Sequence, residues 1–317
     1  MTVPGLVWGR VNRASSQELR FGGKGINVSY VLKEFGGKSV LTGFTAGFTG
    51  DALADGLAHE GFVCDFVKLS EGNTRINVKL TGITDDGDPD TELNAPGPTP
   101  KDEDLRSLIC RLSHLSKGDA VVLAGSLPCG VPTDFIKTIS KSLPEGVALI
   151  CDLSGDALRF ALSVSPYFVK PNIHELYEIS GIDASAENLR DRSLIEGCAE
   201  KLIRAGAKNV LVTMGEDGGY FAVEDGRSGF VPPPKYQKNT DMPRSAVGCG
   251  DSAVAGWLIG MGFAGDNAQL TAFEAAGIST SETTTKAAAK LAVILGTTSY
   301  ACAFPPSPEK VKELITP

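Results

Sequence analysis

Between Val247 and Ser252 the chain reads Val-Gly-Cys-Gly-Asp-Ser, two glycines and a carboxylate at the entrance to an apolar segment from Ala253 to Phe263. Glycines let backbone amides come close to an oxyanion, and a helix starting there adds partial positive charge at its first turn. Asp251, directly after Gly250, would then be placed to take a proton. An anion cradle with a base beside it suits transfer of a phosphoryl group to a hydroxyl, a reaction carried mostly by positioning and electrostatics. A helix that starts with glycines and is capped by an aspartate leaves the same pattern, so the loop must be weighed with its company.

Four other stretches could supply that company. Gly22-Gly23-Lys24-Gly25-Ile26-Asn27 precedes an amphipathic helix that runs through Phe35 and stops at Gly36-Gly37. Its lysine and asparagine could hold a polyol or a phosphate, although a flexible turn with a solvated lysine reads the same way. In Ala124-Gly125-Ser126-Leu127-Pro128, Ser126 and nearby amides would face a ligand edge, or the glycine and proline simply make a turn. Asn172 and Glu175, within Lys170-Pro171-Asn172-Ile173-His174-Glu175, could position a hydrated cation or a phosphate, or start a helix. Thr213-Met214-Gly215-Glu216-Asp217-Gly218-Gly219 could wrap a nucleotide or close a hairpin.

The elements that would carry these residues show in the hydrophobic pattern. Ala120–Ala124, Val147–Cys151 and Val210–Val212 are short apolar runs that read as strands buried on both faces. Between them lie segments of helical length, Phe135–Leu143 and Leu194–Ala205. The alternation predicts an α/β fold, a mainly parallel sheet covered by helices, whose ligands bind beyond the carboxyl ends of the strands. One segment departs from this pattern. From Thr74 to Leu80 residues alternate, with Thr74, Ile76, Val78 and Leu80 on one face and Arg75, Asn77 and Lys79 on the other. After a loop at Thr84 to Asp90 the chain resumes at Thr91-Glu92-Leu93-Asn94. The pair reads as a half-exposed flap over the ligand edge, with Arg75 either toward an anionic substrate or solvated at the surface.

Composition narrows the partners. The 317 residues are 42% hydrophobic and suffice for one large α/β domain or a domain plus a small appendage, and no apolar run reaches the ~18 residues of a membrane span. Met1 to Leu6 lacks the basic start and apolar core of a signal peptide. The seven cysteines are scattered and contain no Cys-x-x-Cys pair, which speaks against a disulfide framework or zinc site and for a reducing, cytoplasmic setting. A net charge of −8 without basic blocks argues against nucleic acid. Gly37-Lys38-Ser39 resembles the end of a P-loop, but Leu32 stands where the first glycine belongs. Gly248-Cys249-Gly250 lacks the third glycine of a dinucleotide fingerprint, Ala253 taking its place. His59, His114 and His174 show no metal spacing, and no Ser-His-Asp order has supporting context. What remains is phosphoryl transfer without a P-loop.

Six motifs in order carry a family resemblance: Gly22-Gly23-Lys24-Gly25-Ile26-Asn27, Thr74-Arg75-Ile76-Asn77-Val78-Lys79, Gly125-Ser126-Leu127-Pro128, Asp152-Leu153-Ser154-Gly155, Lys170-Pro171-Asn172 with Glu175, and Gly248-Cys249-Gly250-Asp251. With these the chain resembles the ribokinase-like (PfkB) carbohydrate kinases over nearly its whole length, most closely the branch of 1-phosphofructokinases and tagatose-6-phosphate kinases. The resemblance implies a three-layer αβα domain over residues 1–317 with a small β lid, segments about 1–20 and 73–98. It implies Asp251 as catalytic base and the amides of Gly248, Cys249 and Gly250 as anion hole. Gly22, Gly23, Lys24, Asn27, Arg75 and Ser126 would hold the sugar phosphate. Lys170, Asn172, Glu175, Thr213, Gly215 and Gly218 would hold ATP, with Asn172 and Glu175 organising Mg2+. The implied reaction converts fructose 1-phosphate to fructose 1,6-bisphosphate, with tagatose 6-phosphate or fructose 6-phosphate as alternative acceptors, and a homodimer through the lid.

Two departures from the family pattern stand out. Members usually begin with a strand carrying an Asn-Pro-x-x-Asp type motif that grips sugar hydroxyls; this chain opens at Val3-Pro4-Gly5-Leu6, just past it, while Val11-Asn12-Arg13 is retained. The expectation is a first core strand lying before residue 1, an N-terminal extension of roughly a dozen residues. The absent aspartate leaves open a non-catalytic sugar-phosphate binder, against which the retained Asp251 argues. Cys249 replaces the family's common alanine, either as a small residue that packs like it or as a thiol made reactive at a helix start; on the second reading alkylation is expected to block phosphate binding and ATP to protect.

Overall fold

The computed structural model describes every residue except 4–5, 82–90, 186, 237–246, 303 and 316–317. Along the chain α1 (Lys24–Glu34) is followed by β1 (Val40–Ala46), α2 (Gly47–His59), β2 (Val63–Leu69) and the short strands β3 (Asn77–Leu80) and β4 (Thr91–Asn94). Strand and helix then alternate through α3 (Asp102–Leu112), β5 (Ala120–Ala124), α4 (Phe135–Ser142), β6 (Ala148–Asp152), α5 (Gly155–Leu162), β7 (Phe168–Val169), α6 (Ile173–Ser180) and α7 (Arg192–Arg204). Strands β8 (Asn209–Thr213), β9 (Gly219–Val223) and β10 (Ser228–Val231) come in sequence. Helices α8 (Cys249–Gly260), α9 (Asp266–Ala276), α10 (Thr284–Cys302) and α11 (Pro308–Ile315) close the chain.

These elements divide into two compact units, one of Met1–Gly22, Leu41–Leu108 and Pro128–Val131, the other of Gly23–Val40, Ile109–Leu127 and Pro132–Pro317. The first contains the two-stranded β1-β2 sheet and the antiparallel β3-β4 pair, in which Val78 stands opposite Leu93. The flap strand starts at Asn77 rather than Thr74 because Thr74 is spent elsewhere. Its N–H donates to Ala46 O, its Oγ1 accepts from the Ala46 N–H, and its carbonyl accepts from Thr49 Oγ1, tying it to the β1-α2 junction. Residues 1–3 join the same unit through bridges from Thr2 to Ser16 and Thr81. The loop expected at Thr84 to Asp90 lies outside the described residues.

In the second unit the sheet order is β10-β9-β8-β7-β6-β5, parallel from β5 to β8 and antiparallel beyond. Strand side chains alternate between two faces. Ile150, Phe168, Leu211, Phe221 and Val231 point into one core with α1, α8, α9 and α10. Leu149, Val169, Val210, Val212 and Tyr220, also buried, point to the other side, where α5, α6 and α7 pack on the strands. The result is the expected three layers. One expectation needs correction. β5 is half-buried throughout rather than enclosed, because it is the edge strand of this sheet. β8 turns back into β9, the hairpin that the glycine turn allowed, since Gly215 and Gly218 at positive φ reverse the chain within five residues. Among the described residues no helix is long and apolar enough to cross a membrane.

Candidate active site

Four chain segments of the second unit converge on one carboxylate. β6 ends on Asp152, β7 is followed at once by Lys170, α1 opens with Lys24, and α8 opens beside Gly250 and Asp251. Lys24 Nζ lies 3.1 Å from Asp152 Oδ2 and Lys170 Nζ 3.2 Å from Oδ1. The side chains of Asp152 and Lys170 are only 3% and 6% exposed, whereas that of Lys24 is 42% exposed. Burial alone would raise the Asp152 carboxyl, but the ammonium groups of Lys170 and Lys24 outweigh it and hold the group below the usual aspartate range. Burial also works against the charge of Lys24; Asp152, with help from Asp251 and Glu175, overcomes it and keeps that ammonium above its ordinary range.

The start of α8 is built around Gly248. This residue caps the helix at φ 79, where L side chains are strained, and a Cβ there would come within 2.4 Å of the Phe304 ring. Its carbonyl accepts the first intrahelical bond, from Ser252 N–H at 2.7 Å. The amides of Gly250 and Asp251 precede that bond and so point out of the helix end, where the dipole is positive. A Cβ on Gly250 would lie 3.3 Å from Lys170 Nζ, so the inner ammonium rests directly against this amide turn. Amides, helix dipole and lysine together form a cradle that fits an anion.

Asp251 stands at the rim of the cradle. Its Oδ2 accepts a 2.7 Å hydrogen bond from Asn27 Nδ2, reaching across from α1. Burial, the largest influence, pushes its carboxyl above the usual aspartate range. Asp152 adds to the rise, while Asn27, Lys24 and Lys170 restrain it. The two carboxyls are thus driven apart, Asp152 toward ionisation and Asp251 toward proton uptake. A profile of the pfkB family carbohydrate kinases matches residues 2–287. The chain belongs to this family.

Relatives and folds agree with that assignment. The 1-phosphofructokinase of Bacillus subtilis is 38% identical over 256 residues, 80% of this chain and 78% of the relative. That of Borreliella burgdorferi is 33% identical over 78% and 76%. The D-tagatose-1-phosphate kinase of Bacillus licheniformis is 32% identical over 67% and 66%. Phosphofructokinase-2 from Escherichia coli, solved with potassium, superposes with a TM-score of 0.80 at 22% identity, covering 99% of this chain and 93% of that one. Ribokinase from Giardia lamblia gives 0.66 at 17%, covering 98% and 92%. At those identities the likeness of the two structures is one of fold. This member of the pfkB family is accordingly a sugar phosphotransferase with a ribokinase-like core.

The remaining residues expected at the site divide into those the second unit brings together and those it does not. Asn172 and Glu175 form a capping box at the start of α6: Glu175 N–H donates to Asn172 Oδ1 and Asn172 N–H to Glu175 Oε2, each at 2.9 Å. Their plainer reading as a helix start is therefore true of the structure. Of their acceptor atoms, Glu175 Oε1 takes no hydrogen bond from the described residues. Mg2+ keeps much of its shell as water and phosphate oxygen, so this one oxygen fits an ion carried by a substrate and not one caged by protein. Among the described residues no cluster of three or more His, Cys, Asp or Glu could hold a metal. Thr213 bridges to Asn172, with its N–H on Pro171 O at 3.0 Å, so the β8-β9 turn with Gly215 and Gly218 adjoins α6. Ser126 is exposed, two residues beyond the register position of Ala124 opposite Asp152. Gly23 is the N-cap of α1 and Cys249, half-buried, is the first residue of α8. Gly22 and the exposed Arg75 belong to the other compact unit. Asn27, expected on the sugar phosphate, donates to Asp251 Oδ2. Asp152 stood in a motif without a role; the signal that could have raised it was a charged residue closing a wholly apolar strand.

Proposed function

We propose that this chain transfers the γ-phosphoryl group of ATP to the free primary hydroxyl of a ketohexose phosphate, with fructose 1-phosphate as preferred acceptor and fructose 1,6-bisphosphate as product. Two of the relatives named above are 1-phosphofructokinases and the third acts on tagatose 1-phosphate, which supports an acceptor already phosphorylated at carbon 1. The observation that carries the chemistry is Asp251: a buried carboxyl raised in proton affinity, fixed by Asn27 at 2.7 Å, beside the α8 amide turn and Lys170.

In this reading Asp251 takes the hydroxyl proton as that oxygen attacks the γ-phosphorus. The bond from phosphorus to the bridging oxygen breaks, and ADP leaves with its electron pair. The amides of Gly248, Cys249 and Gly250, with Lys170, face the charge on the transferring oxygens. Lys24 is assigned to the sugar phosphate with Gly22, Gly23, Ser126 and Arg75. Asn172, Glu175, Thr213, Gly215 and Gly218 are assigned to the nucleotide, whose accompanying Mg2+ would neutralise phosphate charge when bound. Residues 1–20 and 73–98 act as lid in a single kinase domain, excluding water from the loaded site. A homodimer through the lid and a cytoplasmic location complete the reading; light scattering reads the subunit number.

The test is ADP release measured with fructose 1-phosphate, tagatose 6-phosphate and fructose 6-phosphate. Fructose 1-phosphate is expected to give the highest kcat/KM. Asp251→Asn is expected to lower kcat by roughly 10²–10⁴-fold with little change in the KM for ATP. Turnover near the wild-type rate after this substitution overturns the assigned base. Binding without turnover on all three sugars would leave a sugar-phosphate binder.

A further inference from the structure

Asp152 takes no part in the reaction proposed above, yet both lysines of the site converge on it. Its backbone is fixed inside the sheet: Asp152 stands in register with Ala124 of β5, and its carbonyl accepts from Gly125 N–H at 3.1 Å. From that platform each carboxylate oxygen takes one ammonium, Lys24 at 3.1 Å and Lys170 at 3.2 Å. An ammonium has three donors, so each lysine keeps two for other anions. The two do not address the same place. Lys170 is enclosed and lies against the Gly250 turn, whereas Lys24 is nearly half exposed at the mouth of α1.

We infer that Asp152 is a positioning residue that ties the acceptor-side lysine and the phosphoryl-side lysine into one unit, so that neither anion site is formed unless both are anchored. The inference rests on the function proposed above for its two sites. A lysine head on a flexible four-carbon stem has no fixed place of its own. A buried ammonium deprived of its counter-charge is not retained where it is, because desolvation is then uncompensated. Loss of the Asp152 carboxylate therefore releases Lys170 from the amide turn and Lys24 from the mouth of α1 together.

The test is a double-mutant cycle on the full chain, read by steady-state kinetics and by the affinity for inorganic phosphate. Asp152→Asn is expected to lower kcat at least tenfold and to raise the KM of both ATP and the sugar phosphate. Lys24→Met should act chiefly on the sugar-phosphate KM and Lys170→Met on kcat and ATP. Combined with either lysine change, Asp152→Asn should add little beyond the worse single variant. Additive losses, or a lowered Tm with kcat and both KM values intact, would overturn the inference. Should Asp152→Asn not fold, Asp152→Glu keeps the charge but moves it by one methylene, and the same paired rise in KM is expected; wild-type values would again overturn it. If the wild-type chain phosphorylates none of the sugars, the proposed function fails and the cycle is read on inorganic phosphate alone, where the same non-additivity is required.

Discussion

Asp152 and Asp251 share two lysines, yet their carboxyls move in opposite directions, and this fixes the sign of two pH effects. Asp152 is held below its usual range by Lys170 and Lys24, so its contribution to stability is present above the unfolded value and lost as pH falls through the folded one. Asp251 is raised by burial, so its contribution is full below the unfolded value of about 3.9 and lost as pH rises through the folded value. At neutral pH its ionised carboxylate therefore weakens the fold. Asp251→Asn is expected to keep or raise the unfolding temperature at pH 7 while it lowers kcat as proposed above; a clearly lower Tm would contradict the burial argument. The acid limb of wild-type kcat/KM should likewise lie above 3.8, the ordinary aspartate value, and an inflection at or below it would exclude Asp251 as the base. Asp251 was legible in the sequence because glycines flank it before an apolar run. The hydrogen bond from Asn27 was not, since its partners are 224 positions apart. Nor was the role of Asp152, which depends on β7 lying beside β6 to bring Lys170 to one oxygen and on α1 bringing Lys24 to the other.

At the scale of elements, α8 serves as both base plate and core. Its apolar side chains are buried around its whole circumference, and α10 packs along it closely enough to leave no room for side chains at the contact. A Cβ on Gly260 would come within 2.4 Å of Ala288 Cα, and one on Gly256 within 2.8 Å of Ala292 Cα. Further along the same seam the hydroxyls of Ser252 and Ser299 meet at 2.6 Å. Gly260→Ala should raise intrinsic helix propensity, but the clash is with backbone and no rotamer relieves it. A net loss of about 1–3 kcal/mol is expected from the overpacking, read from the denaturant midpoint at unchanged m-value. A midpoint equal to wild type would show that the helices can separate freely. The sequence made α1, α4 and α7 readable within a few residues at each end from their periodicity, and α8 as an apolar run, but not the helices between them or α10. The α8-α10 pairing was hidden because small residues that pack and small residues that merely fill look alike in one dimension. The β8-β9 reversal was legible as one of two readings, because glycines after a strand serve a nucleotide turn or a hairpin alike.

Over the whole molecule a charge of −8 opposes the approach of phosphorylated substrates. Beyond a Debye length of about 8 Å that repulsion is screened, so in the proposed reading recognition falls to the amide turn and the two lysines at close range. The layered α/β class followed from alternating apolar runs and helical segments. The division into two compact units did not, because it depends on which distant segments share a core. Each unit carries one of the chain's two tryptophans. Trp8 in the first is 87% exposed, and Trp257 in the second is fully buried, stacked on Phe168 at 4.5 Å. Under common excitation the unmodified chain should therefore emit in two bands, one red-shifted and open to iodide quenching, the other blue-shifted and shielded. A single shielded band would contradict the exposure of Trp8. With both bands present, one unfolding experiment follows the second unit by the red shift of Trp257 against the nearly constant band of Trp8, without labels or substitutions.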